Sequence, residues 1–230
     1  VATTLYLPAL PAVRAHFASR PQQFLEFDPT RETSWGRLCD FLGAPVPDSG
    51  ALRRCMGPPL RESFAWLLDT DDRDAIEQAI ACYRERFADV GWRENVVYAG
   101  IPEVLAGLAA GPGRVFLCTS KPELYARRIV QLFGLSEHLH GIYGADLAGT
   151  LDDKVKLFAH VAAREGFAPE RGIMIGDRAQ DLRAARMNGA RSVGVLWGYG
   201  SREELDSANA IVARPQELPQ ALLDLGRPRT

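Results

Sequence analysis

Paired thiols are missing from this sequence. Cys39, Cys55, Cys82 and Cys118 are scattered, with no C-x-x-C spacing. Such scatter points to buried free thiols in a reducing, cytoplasmic compartment. Histidine is scarce, and His16, His138, His140 and His160 show no ligand spacing, so none is assigned a role. No apolar run approaches the length of a membrane span. Excess charge is absent too: a net charge of −2 over 230 residues provides no basic face. Nucleic acid and anionic membrane are therefore excluded as main partners. The opening VATTLYLPALPAV is apolar but has no basic start and carries two prolines, so it does not read as a signal peptide. Val1 in place of Met leaves room for a processed or truncated amino terminus. Repeats and low-complexity segments are also absent.

What is present is an alternating pattern from about residue 98 onward. RVFLCTS (114–120) is a short apolar run behind the turn GPG, and Pro122 opens a helix that Gly134 stops. DDKVKLFAHVAAREGF (152–167) carries Val155, Phe158, Ala159 and Ala162 as one helical stripe. The strand GIMIG, the helix DLRAARMNG, the strand SVGVLW and a last strand AIVA follow. This alternation predicts an α/β fold: a parallel sheet with helices on both faces. Residues 35–95 read differently, as helices alone: WGRLCDFLG, LRESFAWLL and a long one over 73–88 with Ile76, Ile80, Tyr83 and Phe87 at helical spacing. An all-helical segment inside an α/β pattern predicts an inserted cap over 33–97. The core is then 1–32 plus 98–230, with VVYAGIPE (96–103) as the return hinge.

Three strand-like runs end on a small polar or acidic residue: FLEF then Asp28, VFLC then Thr119, and IMIG then Asp177. Polar residues commonly end strands because loops begin there. In an open parallel sheet, however, ligands bind outside the carboxyl ends of the strands, so adjacent strands would bring these residues to one crevice. Thr119 and Ser120 precede a helix, whose unpaired N–H groups and their hydroxyls make a phosphate seat. GDRAQD spaces Asp177 and Asp181 around a strand-to-helix turn. One carboxylate suits a hard cation such as Mg2+, and Asp181 equally suits a helix cap. Lys154 starts its helix beside the apolar stripe, with its ammonium free to reach the crevice, whereas Lys156 reads as solvated. A fixed cation there offsets charge on phosphoryl oxygens.

FLCTSKP, then Lys154 in GTLDDK, then MIGDRAQDLRAARMNGA and SVGVLWGYGSREEL resemble the haloacid dehalogenase-like phosphatases, in the order that family carries them. The cap run ALRRCMGPPLRESFAWLL and the return YAGIPEVLAGLAAG are similar to its phosphoglycolate phosphatase-like branch, and the likeness covers roughly 50–213. The resemblance implies a Rossmann-like three-layer α/β/α core with a helical cap. It also implies a Mg2+-dependent phosphomonoesterase of a small phosphorylated substrate, acting through an aspartyl-phosphate. Carried over, Thr119 binds phosphate beside Ser120, and Lys154 holds nucleophile and phosphate together. Asp177 binds the metal, with Asp181 in the same acidic loop and Asp28 completing the candidate set. Gly57, Pro58 and Pro59 form a cap loop that faces the substrate.

The family's first motif, D-x-D-G-T, is not found. EFDPT is the candidate, in two registers. In one, Glu26 replaces the nucleophile, one methylene too long, and Asp28 the acid/base. In the other, Asp28 is the nucleophile and Thr30 stands at the acid/base position, as in the P-type ATPase version. Strand alternation favours the second. In the first register Pro29 takes the glycine's place and removes an N–H; in the second, Arg31 and Glu32 fall where small residues are expected. Residues 12–48 resemble the carboxyl-terminal tail of sulfotransferase-like proteins, which makes the chain look like a fusion in which FLEF fills the central slot of the sheet. Two alternatives to the phosphatase reading follow: a silent family member that binds a phosphorylated ligand or partner without turnover, and a fusion remnant with a marginal core.

Overall fold

The computed structural model of the chain describes residues 55, 57–89, 91–146 and 150–226. FLEF, Asp28, the helix WGRLCDFLG and the whole stretch likened to a sulfotransferase tail lie outside these residues. The described chain begins helical. α1 (Leu60–Leu68) and α2 (Arg73–Asp89) pack on each other, and Ile76 and Ile80 are both buried as their spacing requires. α3 (Ile101–Ala109) starts behind Gly100 with Pro102 in its first turn, a position where the missing N–H does no harm.

Strands and helices then alternate: β1 (Phe116–Pro122), α4 (Glu123–Leu132), β2 (Gly141–Ala145), α5 (Lys154–Glu165), β3 (Ile173–Gly176), α6 (Ala179–Met187), β4 (Arg191–Val195), β5 (Ala210–Val212) and α7 (Leu218–Gly226). The pairings β1–β2, β3–β4 and β4–β5 are all parallel; the first two are βαβ units, and β4 reaches β5 through a turn-rich loop. α3 was expected as a hinge, and β2 and α7 were not expected at all.

Three layers result. Val104 of α3 and Leu218 of α7 cover one face of β4 and β5, against Val193, Val195 and Val212. Phe158 of α5 with Ala184 and Ala185 of α6 covers the other face, against Met174 of β3 and Cys118 of β1. Val193 and Ala184 are fully buried, and a valine so buried contributes roughly 1.5–3 kcal/mol.

Among the described residues the sheet comes in two pieces: β1 pairs only with β2, and β3 pairs with β4. Both pieces rest on the core under α5 and α6, because Cys118 and Met174 share one cluster. One edge of β1 and one edge of β3 therefore have no described strand beside them.

Candidate functional site

β1 pairs in regular register up to Thr119, opposite Gly144, and the register then shifts before Pro122. A bulge of this kind re-aims the side chains at a strand end. Here the Lys121 N–H donates to Thr119 Oγ1 at 3.2 Å, while Ser120 faces the cleft described below. Lys121 is drawn inward. Burial pushes its ammonium below the ordinary range, the nearby Lys154 charge adds to this, and Asp177 opposes it.

Lys154 is the first residue of α5. Asp153 before it caps the helix by accepting the Val155 N–H at 2.7 Å. The Lys154 ammonium crosses to α6 and pairs with Asp181 Oδ1, the two side chains being 16% and 4% exposed. Asp181 Oδ2 accepts the Arg178 N–H at 3.1 Å. The two roles weighed for Asp181 thus overlap: it closes the first turn of α6 and is also the counter-ion of Lys154. Cys118, one position before Thr119, lies close enough to feel both charges, but burial dominates and pushes its thiol up to about 11.

Asp177 follows β3 directly. Its Oδ2 accepts the Tyr199 N–H at 2.7 Å. The loop carrying that N–H comes so close that a Cβ on Gly198 would overlap the Asp177 carboxylate, so only glycine allows the wrap. Arg178 donates to Glu204 Oε1 at 2.9 Å, and the Ala179 N–H reaches the same oxygen at 2.7 Å. Burial pushes the Glu204 carboxyl up. The hydrogen bonds from Ala179 and Arg178 outweigh that and hold it below its ordinary value. Gly57 lies against the Arg178 side chain, which joins the loop ahead of α1 to the acidic loop.

A cleft of about 340 Å³ opens between these parts, lined by Gly57, Pro59, Ser120, Lys154 and Gln180 among others. Four expected site residues therefore share one cavity wall. Asp181 stands directly behind Lys154, and Thr119 stands beside Ser120. Pro58 is next to two lining residues without lining the cleft itself. Lys156, read as solvated, is exposed but lies on the rim. Asp28 falls outside the described residues. Gln180, Arg178, Glu204 and the half-buried Lys121 were not anticipated. All four lie inside the motifs quoted for the family, and only the folded arrangement marks them.

The donors at Asp177 and Asp181 are hard oxygens of the kind Mg2+ takes, and Mg2+ is commonly held by one or two carboxylates plus water and substrate phosphate. Asp177 Oδ2 is engaged by Tyr199, and both oxygens of Asp181 have protein partners. Among the described residues no group of three or more His, Cys, Asp or Glu side chains gathers around one point. The residues fit Mg2+ with Asp177 as the open carboxylate and the rest of the shell drawn from elsewhere. No helix among the described residues is long and apolar enough to cross a membrane.

The haloacid dehalogenase-like hydrolase family matches residues 33–195. The chain belongs to that family. The match begins within the stretch likened to a sulfotransferase tail, a likeness that gains no support, and it begins past Asp28. This hydrolase is 42% identical over 164 residues to a 5'-nucleotidase of Pseudomonas aeruginosa, an alignment spanning 71% of this chain and 74% of that one. It is 35% identical to the tyrosine-protein kinase PtkA of Mycobacterium tuberculosis over 83% of this chain and 66% of the relative. In structure it superposes on a predicted phosphatase from Clostridium acetobutylicum with a TM-score of 0.74 and 34% identity, covering 80% of this chain and 86% of that one. Phosphoglycolate phosphatases match as well, at 26% and 27% identity, which agrees with the branch expected from the motifs.

Proposed function

We propose that this hydrolase is a Mg2+-dependent phosphatase of a small phosphorylated metabolite, of nucleotide or phosphoglycolate type. The observation that carries the reading is the pairing of Lys154 with Asp181, with Lys154 and Ser120 together on the wall of one cleft. The substrate phosphate sits at Thr119 and Ser120, near the N-terminus of α4. The Lys154 ammonium, oriented by Asp181, offsets charge on the phosphoryl oxygens as transfer proceeds. Asp177, with Asp28, would hold Mg2+, which when bound supplies further charge neutralisation. Asp181, expected as a further ligand, has both oxygens engaged by Lys154 and the Arg178 N–H and supports the acidic loop.

Asp28 is the proposed nucleophile. FLEF would form the strand that joins β1 to β3, bringing Asp28 past its end beside Thr119 and Asp177. An Asp28 carboxylate oxygen bonds to phosphorus while the bond to the leaving oxygen breaks, and that oxygen takes up a proton. Water then cleaves the aspartyl-phosphate, releasing phosphate and restoring Asp28. The helical segment 33–97 acts as the cap, with Gly57, Pro58 and Pro59 closing over the substrate. Purified protein with Mg2+ should hydrolyse p-nitrophenyl phosphate, phosphoglycolate or a nucleoside monophosphate. Turnover no greater than that of Asp28→Asn and Asp177→Asn overturns the reading, and activity that survives Asp28→Asn moves the nucleophile elsewhere.

One observation favours a second reading, a member that binds a phosphorylated ligand without turnover. EFDPT stands where D-x-D-G-T is expected, and the family match starts only at residue 33. In that case phosphorylated ligands raise the melting temperature while no phosphate is released.

A further inference from the structure

Gly57 lines the cleft and adopts a left-handed φ of +114°, and a Cβ there would come within 3.0 Å of Arg178 Cγ. The glycine therefore rests directly on the Arg178 stem. Arg178 is mostly buried, its side chain 13% exposed, and it does not line the cleft. It follows Asp177 in the chain, so one side chain separates the cleft-lining Gly57 from the carboxylate assigned to the metal.

Arg178 also gathers the groups around Asp177. Its N–H donates to Asp181 Oδ2, which steadies the counter-ion of Lys154. Its Nε donates to Glu204 Oε1 at 2.9 Å. A Cβ on Gly200 would meet both the Asp177 carbonyl oxygen and Glu204 Oε2, so Glu204 clamps the loop that wraps Asp177. The Tyr199 N–H that aims the Asp177 carboxylate belongs to that same loop. A second tie between α1 and the core, Arg61 Nη1 to Asp152 Oδ2, is 3.4 Å long and shares its arginine with Glu77. Its side chains are 48% and 31% exposed, against 13% and 24% for Arg178 and Glu204. Exposed pairs contribute little, so Arg178 is the tie that counts.

We infer that Arg178 is a positioning residue, which couples the seat of Gly57 at the cleft to the aim of the Asp177 carboxylate. Gly57 packs the Arg178 stem, and the stem holds the guanidinium on Glu204. Glu204 in turn holds the loop whose Tyr199 N–H fixes Asp177. The inference rests on the phosphatase reading for what fills the cleft, a phosphorylated ligand that draws residues 57–59 onto the core. Such a ligand sets the metal carboxylate as it binds, although Arg178 never touches it.

Amide hydrogen exchange tests the coupling without substrate, and steady-state kinetics tests its use. Arg178→Met keeps the stem and loses the Glu204 pair. The Tyr199 amide should then exchange about 10-fold faster relative to the Val193 amide of β4, the scale of one charge-assisted hydrogen bond. Arg61→Gln should leave that ratio unchanged. Gly57→Ala, whose methyl meets Arg178 Cγ, should also speed Tyr199 exchange, but should add nothing in the Arg178→Met background. With p-nitrophenyl phosphate and Mg2+, Arg178→Met should lower kcat about 10-fold and keep KM within about twofold, as for a group that places another. A Tyr199 amide unmoved by Arg178→Met, equal acceleration in Arg61→Gln, or additive effects of Gly57→Ala and Arg178→Met overturns the inference. A raised KM in place of a lowered kcat makes Arg178 a substrate contact and overturns it too. If Arg178→Met does not fold, Glu204→Gln carries the same expectation, and an unmoved Tyr199 amide there is equally decisive. A wild type without turnover but with this exchange pattern overturns the phosphatase reading and leaves the Arg178 assignment standing.

Discussion

The ammonium of Lys154 and the carboxylate of Asp181 meet across the interface of α5 and α6, with side chains 16% and 4% exposed. Each holds the other in place, and Asp181 also closes the first turn of α6 through the Arg178 N–H. Removing either partner leaves a largely buried charge without compensation. Asp181→Leu and Lys154→Met should each lower stability by about 3 kcal/mol in urea unfolding. The double variant should cost clearly less than the sum, with a coupling of about 1–3 kcal/mol. Additive losses would mean that the pair does not act as a unit.

Asp177 separates catalysis from folding. Asp177→Asn keeps an oxygen for the Tyr199 N–H and so preserves the contact that seats the 197–200 loop. Its melting temperature should stay within about 2 °C of the wild type, since none of the usual sources of a large loss is touched. Phosphate release should nevertheless fall by about 100-fold or more, because the open carboxylate that would hold Mg2+ is gone. A large fall in melting temperature would show instead that Asp177 is chiefly a loop anchor.

Gly176, the last residue of β3, lies against the side chain of Asp181, which occupies the space a Cβ would need. Gly176→Ala therefore displaces the Asp181 carboxylate from Lys154. Urea unfolding should reveal a loss of about 1–3 kcal/mol, the usual scale of overpacking. Activity should fall with it, although alanine carries no charge.

Cys118 connects the site to pH. Burial raises its thiol from an ordinary 9.0 to about 11, so the folded chain holds this proton over a range in which the unfolded chain has released it. More protons bound in the folded state means that stability falls as pH rises. The Cys118 contribution is present below about pH 9 and is lost between about 9 and 11. The stability gap between the wild type and Cys118→Ala should therefore shrink over that window. Iodoacetamide at pH 8 should leave the folded thiol unmodified, since the thiolate is the reactive form.

Much of the fold was legible in local pattern. LRESFAWLL coincides with α1, and Ile76 and Ile80 lie buried at helical spacing in α2. The alternation after residue 98 yielded parallel strands with helices on both faces, because apolar periodicity reports which side of an element is covered. β2 was missed because GIYGA is five residues long and contains two glycines, so it carries little strand signal despite being almost wholly buried. α3 was read as a hinge because Gly100 and Pro102 mark a break as readily as a helix start.

The residue types for phosphate and metal were all visible in the sequence, since Thr119, Lys154, Asp177 and Asp181 fall at strand ends and helix starts that chain order alone can locate. Their pairing was not visible. Whether Asp181 caps a helix or serves a site depends on where Lys154 ends, and Lys154 comes from another helix 27 residues away. The partial burial of Lys121 at a strand bulge and the Gly198 wrap around Asp177 arise from contacts between segments distant in the chain. The sequence by itself determined the layers, the alternation of strand and helix and the chemical types at the crevice, because these follow from periodicity and turn chemistry. Only the tertiary structure decided which charge neutralises which, because desolvation acts on groups brought together in space.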